Sequence, residues 1–140
     1  MEEATVRAFM ATTKVERFVT LLANPRRRSK ALNELNHFRG WDERFATLLP
    51  SNADIMTVLR VAGAPDRCHL ISNDSALDGR DLPLAEAVSR AERFHFASVI
   101  CCVPGQLALF LGEQPRKDVS PILLKKVDGT SGRATAKMDG

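Results

Sequence analysis

The stretch "HLISNDSALDGRDLPLAEA", His69 to Ala87, sets three aspartates, Asp74, Asp78 and Asp81, around an Asp-Gly-Arg step. Carboxylates grouped in a polar loop are what a calcium or magnesium site is made of, because hard divalent cations take oxygen ligands. The spacing excludes an EF-hand. Counted from Asp74, the third position is Ala76, and no acidic residue stands where the bidentate Glu belongs. A magnesium site asks for only one or two carboxylates and stays open. The competing reading is structural. Asn73 or Asp74 makes an Asx turn, Asp78-Gly79 makes a tight turn with positive φ at Gly79, and Asp81 caps the helix that follows. Arg80 is then either an ion-pair partner for Asp74 or Asp78, or the anion clamp of an enzyme site at this loop.

A second group is basic. Arg26, Arg27, Arg28 and Lys30 follow Asn24-Pro25. Asn as N-cap and Pro at the first helical position put the arginines in the first turn of a helix. Cations there oppose the macrodipole, so local stability does not account for three of them. They would attract phosphate. The alternative is a solvated face with ion pairs to Glu16, Glu34 or Asp42. No glycine-rich phosphate cradle accompanies them.

Cys68, Cys101 and Cys102 lie in apolar, strand-like runs. Neighbouring residues on a strand face opposite ways, so Cys68-His69 and Cys101-Cys102 each offer one ligand per face, unlike the paired cysteines of a zinc site. Buried structural thiols are the expectation. Cys101 as a nucleophile would need a base, for which His37, His69 and His95 are the candidates. His95 is read as the end of a helix.

The elements that must position these groups follow from periodicity. Thr13 with Glu16 forms a capping-box pattern, and Val15, Phe18, Val19 and Leu22 follow at helical spacing. Residues 2–11 extend that helix or form their own. Ala31, Leu32, Leu35 and Phe38 make the next stripe, ended by Gly40. "WDERFATLLP" reads as a helical turn and loop. Ser51 or Asn52 caps a helix carrying Ile55, Val58 and Leu59, which Gly63 terminates. Cys68 to Ser72 is a strand, and Leu84, Ala87, Val88 and Ala91 define a helix reaching about Phe94.

"ASVICCVPGQLALFLGEQ" reads as a hairpin around Pro104-Gly105. L-Pro-Gly favours a type I or II turn, whose twist suits a two-residue hairpin poorly, so a bulge or longer loop is expected. Val99, Cys101 and Val103 point one way, and Ile100 and Cys102 the other. Both faces are apolar, which places this strand centrally. "VSPILLKKV" is open to adding a strand. The end of the chain is small and polar.

The chain's 140 residues fit one domain, with 44% hydrophobic and 26% charged residues. Seven Phe, one Trp and no Tyr leave little for base stacking. The net charge of +3 is drawn partly from Arg116, Lys117, Lys125, Lys126, Arg133 and Lys137 in the last quarter. An odd cysteine count, no long apolar span and an acidic start without a signal-peptide pattern place the protein in the cytoplasm, with no membrane partner.

"GAPDRCHLIS" followed by "LDGRDLPLAEA", and "CCVPGQLALFLGE", resemble a pattern of small bacterial proteins whose second block runs S-C-x-P-G-x-L-A-Y-x-x-G-E. "NELNHFRGWDERFATLLP" is similar too, so the resemblance spans about residues 14–114. Cys101 stands where that pattern has Ser, and Phe110 one place beyond its aromatic. The resemblance implies a compact single domain of bacterial origin; no activity is attached to these proteins, so it carries no catalytic residue.

The expected fold is α+β, with about four helices around a small, mainly antiparallel sheet of about three strands ending in a β-hairpin. Residues 1–114 form the domain and 115–140 an extension and polar tail. The first expectation for function is a small non-enzymatic binding or regulatory protein without a cofactor, pairing with itself as a homodimer. The alternatives are a nucleic-acid or phosphate-ligand binder through Arg26, Arg27, Arg28 and Lys30, and an enzyme at the Asp74–Asp81 loop.

Overall fold

The computed structural model describes residues 1–36, 38–93, 96–112 and 120–126. His37, His95 and the tail cations Arg116, Lys117, Arg133 and Lys137 lie outside them, as do residues 115–119 and 127–140 of the expected extension and tail. The described residues hold five helices: α1 (Glu2–Phe9), α2 (Thr12–Ala23), α3 (Arg28–Leu35), α4 (Ile55–Val61) and α5 (Leu84–Arg93). They also hold six strands: β1 (Ala46–Leu48), β2 (Arg67–Ser72), β3 (Asp81–Pro83), β4 (Ser98–Val103), β5 (Leu107–Leu111) and β6 (Ile122–Lys125). The fold is α+β, with one helix and three strands more than the sequence led us to expect. No helix among the described residues is long and apolar enough to cross a membrane.

All six strands form one antiparallel sheet in the order β1-β6-β5-β4-β2-β3. Period-two alternation splits its side chains between two cores. Ile71, Val99, Cys101, Ala108, Phe110 and Leu124 join the buried stripes of α1, α2 and α3 on one face. Cys68, Leu70, Ile100, Cys102, Leu107 and Leu109 pack with α4 and α5 on the other. The helices therefore cover both faces, and β4 is central and apolar on each, as its sequence requires.

The hairpin turns at Pro104-Gly105, where Gln106 N–H donates to Val103 O at 2.9 Å and Gly105 has φ 68°. A positive φ at the second central position is the type II pattern, which fits strand twist poorly. The register accordingly shifts between Cys101 and Val103. That bulge puts Val103 with Cys102 on the α4–α5 face, not with Val99 and Cys101 as alternation alone predicts.

Several local expectations are corrected. "WDERFATLLP" is a turn followed by edge strand β1, because cross-strand pairing with β6 supplies what three mostly exposed residues do not signal by themselves. The Thr13–Glu16 capping box does not form. α2 starts at Thr12 after Ala11, and Glu16 binds Arg7 at 2.6 Å instead. α4 is capped by Asp54, whose side chain accepts from Thr57 N–H, in place of Ser51 or Asn52. Gly63 follows the α4 C-cap with φ 102°, as expected.

Candidate functional site

Asn24 does not cap a helix starting at Pro25. Its Oδ1 accepts from Arg26 N–H at 2.9 Å, and residues 25–27 form a turn, so α3 begins at Arg28. This one-turn delay decides the fate of the basic cluster. Arg26, Arg27 and Lys30 stay exposed, while Arg28 folds back under α1. Its guanidinium donates to both Glu2 oxygens at 2.7 and 2.8 Å, to both Asp78 oxygens at 2.6 and 2.9 Å, and to Leu22 O at 3.1 Å. Hydrogen bonds to Asp78 and Glu2 hold the Arg28 charge, against partial burial. Two bidentate carboxylates use the planar fork in the way only Arg can.

The network continues from Glu2. Its Oε2 meets His69 Nε2 at 2.6 Å, and Nδ1 of the same ring meets Asp81 Oδ1 at 2.9 Å. Burial pushes the Glu2 carboxyl up, but the bonds from His69 and Arg28 outweigh it and hold the group down at about 2. The bond to Glu2, backed by Asp81, pushes the His69 pKa above its ordinary value against partial burial. The result is one chain of charge, Asp78–Arg28–Glu2–His69–Asp81. It ties the first turn of α1 to α3, the β2–β3 loop and strands β2 and β3. A cleft of about 330 Å³, lined by Met1, Glu2, Glu3, Val19, Leu22, Ala23 and His69, adjoins it.

The acidic loop does not gather its carboxylates. Asp74 Oδ1 accepts from Ala76 N–H at 2.9 Å, the Asx turn expected of it. Asp78 takes Arg28 and Ser72 N–H, the latter at 3.0 Å. Asp81 is not a helix cap. It lies in β3, paired with His69 across the ladder, and α5 begins three residues later. Arg80 is exposed, and its Nη1 donates to Ala76 O at 3.3 Å, not to Asp74 or Asp78. Gly79 has φ 76°, as the turn requires. No group of three His, Cys, Asp or Glu side chains among the described residues can hold a metal ion.

No protein-family model, curated protein or solved structure matches this chain.

The thiols are placed as structural groups. Burial pushes Cys68 up to about 11 and Cys101 and Cys102 up to about 12. His69 is the register partner of Cys101, and Asp81 that of His69, so Asp81, His69 and Cys101 stand in a row across three strands. The row is not a working triad. His69 Nε2 is aimed at Glu2, and the Cys101 thiol is sealed below α1.

A second feature was not visible in the sequence. Glu34 on α3 bonds Arg17 on α2, and its carboxyl is held below the usual range by that bond and by Lys30 and Lys14 nearby. Two depressions meet at Glu34. One is lined by Ser29, Lys30, Asn33 and Glu34, the other by Lys14, Arg17, Phe18, Glu34, Phe38, Arg39 and Gly40. The cations come from separate segments whose facing sides appear only once α2 and α3 pack. The ion-pair partners expected for the Arg26–Lys30 cluster are taken by other arginines: Glu16 by Arg7, Glu34 by Arg17 and Asp42 by Arg44.

Proposed function

We propose that the protein acts by binding, not by catalysis, and that its ligand is a phosphate-rich polyanion seated on the α2–α3 face. One observation carries this reading. Lys14, Arg17, Lys30 and Arg39 line two adjoining depressions in which Glu34 is the one carboxylate among the described residues, and Arg26 and Arg27 stand exposed on the turn entering α3. A surplus of cations over one acid gathers phosphate groups without a base-reading element, and the small aromatic content agrees with backbone recognition. The commitment of Arg28, His69 and the loop carboxylates to internal partners supports binding over chemistry.

The test is fluorescence anisotropy with a labelled single-stranded DNA oligonucleotide and with inorganic polyphosphate as competitor, over a salt series. Affinity is expected to fall linearly with the logarithm of salt, and each cation lost from the contact reduces the slope by about 0.7–0.9. Lys14→Ala, Lys30→Ala and Arg39→Ala together should flatten it. Wild-type protein that binds neither probe at low salt overturns the reading.

A second reading, self-association, rests on the two sheet edges. On either side of β1, Phe45 O accepts from Lys125 N–H and Leu49 N–H donates to Pro121 O, so the N–H and C=O groups of Ala46 and Leu48 face outward, and Leu48 is 72% exposed. Antiparallel pairing with a second copy about Thr47 sets Ala46 against Leu48 twice. The run Phe45 to Pro50 holds no charge to oppose it. Sedimentation at micromolar concentration should show a dimer that Leu48→Lys dissociates; a wild-type monomer removes this reading.

A further inference from the structure

The two ends of α1 are held by different means. At its C-terminal end Phe9 is fully buried, Met10 bridges Trp41, and Phe9 O accepts from Asp42 N–H at 2.7 Å. At its N-terminal end Val6 is buried, Arg7 pairs with Glu16 of α2, and the first turn is tied down by Glu2 through His69 and Arg28. Eight residues make a helix of little independent stability, so the first turn stays in place only while tertiary contacts hold it. Beneath it the closed position carries a penalty. The buried Thr5 hydroxyl faces the Cys101 thiol without a hydrogen bond of ordinary geometry.

The chemistry of the His69 ring sets when that contact holds. Both ring nitrogens face carboxylate oxygens. Two N–H donors exist only on the imidazolium; the neutral ring has one, so one carboxylate must then face a lone pair. The charged and titratable groups around the ring come from every neighbouring element: Glu2 from α1, with Glu3 and the Met1 amine on the same cleft, Asp81 from β3, Cys101 from β4 and Arg67 beside it on β2. Arg28 of α3 and Asp78 of the β2–β3 loop act through Glu2. Arg67 donates to Asp81 O and offers the Asp81 carboxylate no bond in place of His69.

We propose that the N-terminal half of α1 is a latch over the Cys101 region of the sheet, closed while His69 carries its proton and opening about Phe9 when the proton leaves. Opening widens the cleft at Glu2, Val19 and Leu22 and bares the sheet face beneath Thr5. This gives the fold a surface whose exposure follows pH. It does not depend on the ligand of the α2–α3 face.

Cys101 reports the latch, because Cys68 and Cys102 lie on the opposite sheet face under α4 and α5. The full-length native protein is treated with iodoacetamide between pH 6 and 8.5, and the rate at each cysteine is read by mass spectrometry. Each rate is divided by the rate for the same site in urea-unfolded protein. The corrected Cys101:Cys102 ratio is expected to rise severalfold across the range as His69 loses its proton. In His69→Asn and Glu2→Gln the ratio should be high already at pH 6 and flat with pH. A wild-type ratio that does not change with pH overturns the proposal. So does a uniform rise of all three thiols in the variants, which would show global unfolding in place of a local latch.

Discussion

Glu2 and His69, 67 residues apart in the chain, meet at 2.6 Å, carboxylate oxygen to ring nitrogen. The pairing fixes the sign of the pH dependence of stability. His69 has a folded pKa above its ordinary 6.5, so its contribution is complete below 6.5 and is lost as pH rises through the folded value. Glu2 is the reverse: its contribution is complete above 4.5 and lost as pH falls through about 2. The urea midpoint should therefore decline from pH 6.5 to 8.5, and His69→Asn should abolish most of that decline. The thiols act mainly above this window, because their raised values withdraw stability as pH approaches and passes their ordinary 9.0. A wild-type profile parallel to that of the variant would remove the ion pair from the account.

Arg28→Ala should destabilise the protein by about 2–4 kcal/mol, because it removes the shared cation of two partly buried carboxylates, Glu2 and Asp78. Arg26→Ala and Arg27→Ala should change stability by less than about 0.5 kcal/mol, as exposed residues without such a feature do. Urea unfolding of the three variants separates them. Equal effects would mean that the arginines share one environment.

Gly79→Ala should cost about 1 kcal/mol, and Gly79→Asn less, since Asn accepts positive φ more readily. Nothing lies within 4 Å of an added Cβ, so the loss comes from the backbone at φ 76°. Thermal denaturation in which Asn and Ala are equally damaging would contradict the turn geometry.

Magnesium or calcium at about 10 mM should leave the melting temperature of the protein unchanged, because a ligand stabilises only in proportion to its binding to the folded state. Asp74, Asp78 and Asp81 each have a separate internal partner. A melting temperature that climbs steadily with either ion would restore a metal site at this loop.

The legible parts of this fold are those encoded over a few residues. Apolar spacing at Val15, Phe18 and Leu22 gives a helix stripe, alternation from Val99 to Cys102 gives a strand covered on both sides, and Pro104-Gly105 gives a turn that forces a bulge. Asp74 and Gly79 were equally readable, as turn chemistry is local. β1 and β3 were not, because three residues carry no period and Asp81-Leu82-Pro83 looks like a helix start. The site was the least legible part. Glu2, Arg28 and His69 belong to three distant segments, and no spacing announces that they converge. The capping-box pattern at Thr13 and Glu16 misled because Arg7, one helix earlier, competes for the same carboxylate.

Pro83 has a consequence for assembly size. On the β3 edge, Leu84 N–H donates to Asp66 O and Arg80 O accepts from Leu70 N–H of β2, so the backbone groups of residues 81 and 83 face outward; Pro83 has no N–H, and Asp81 O accepts from Arg67 at 3.1 Å. A sheet with one blocked margin and one receptive margin cannot polymerise by edge addition. In the proposed dimer joined through β1, both ends of the doubled sheet would be β3 ends, and growth would terminate at two.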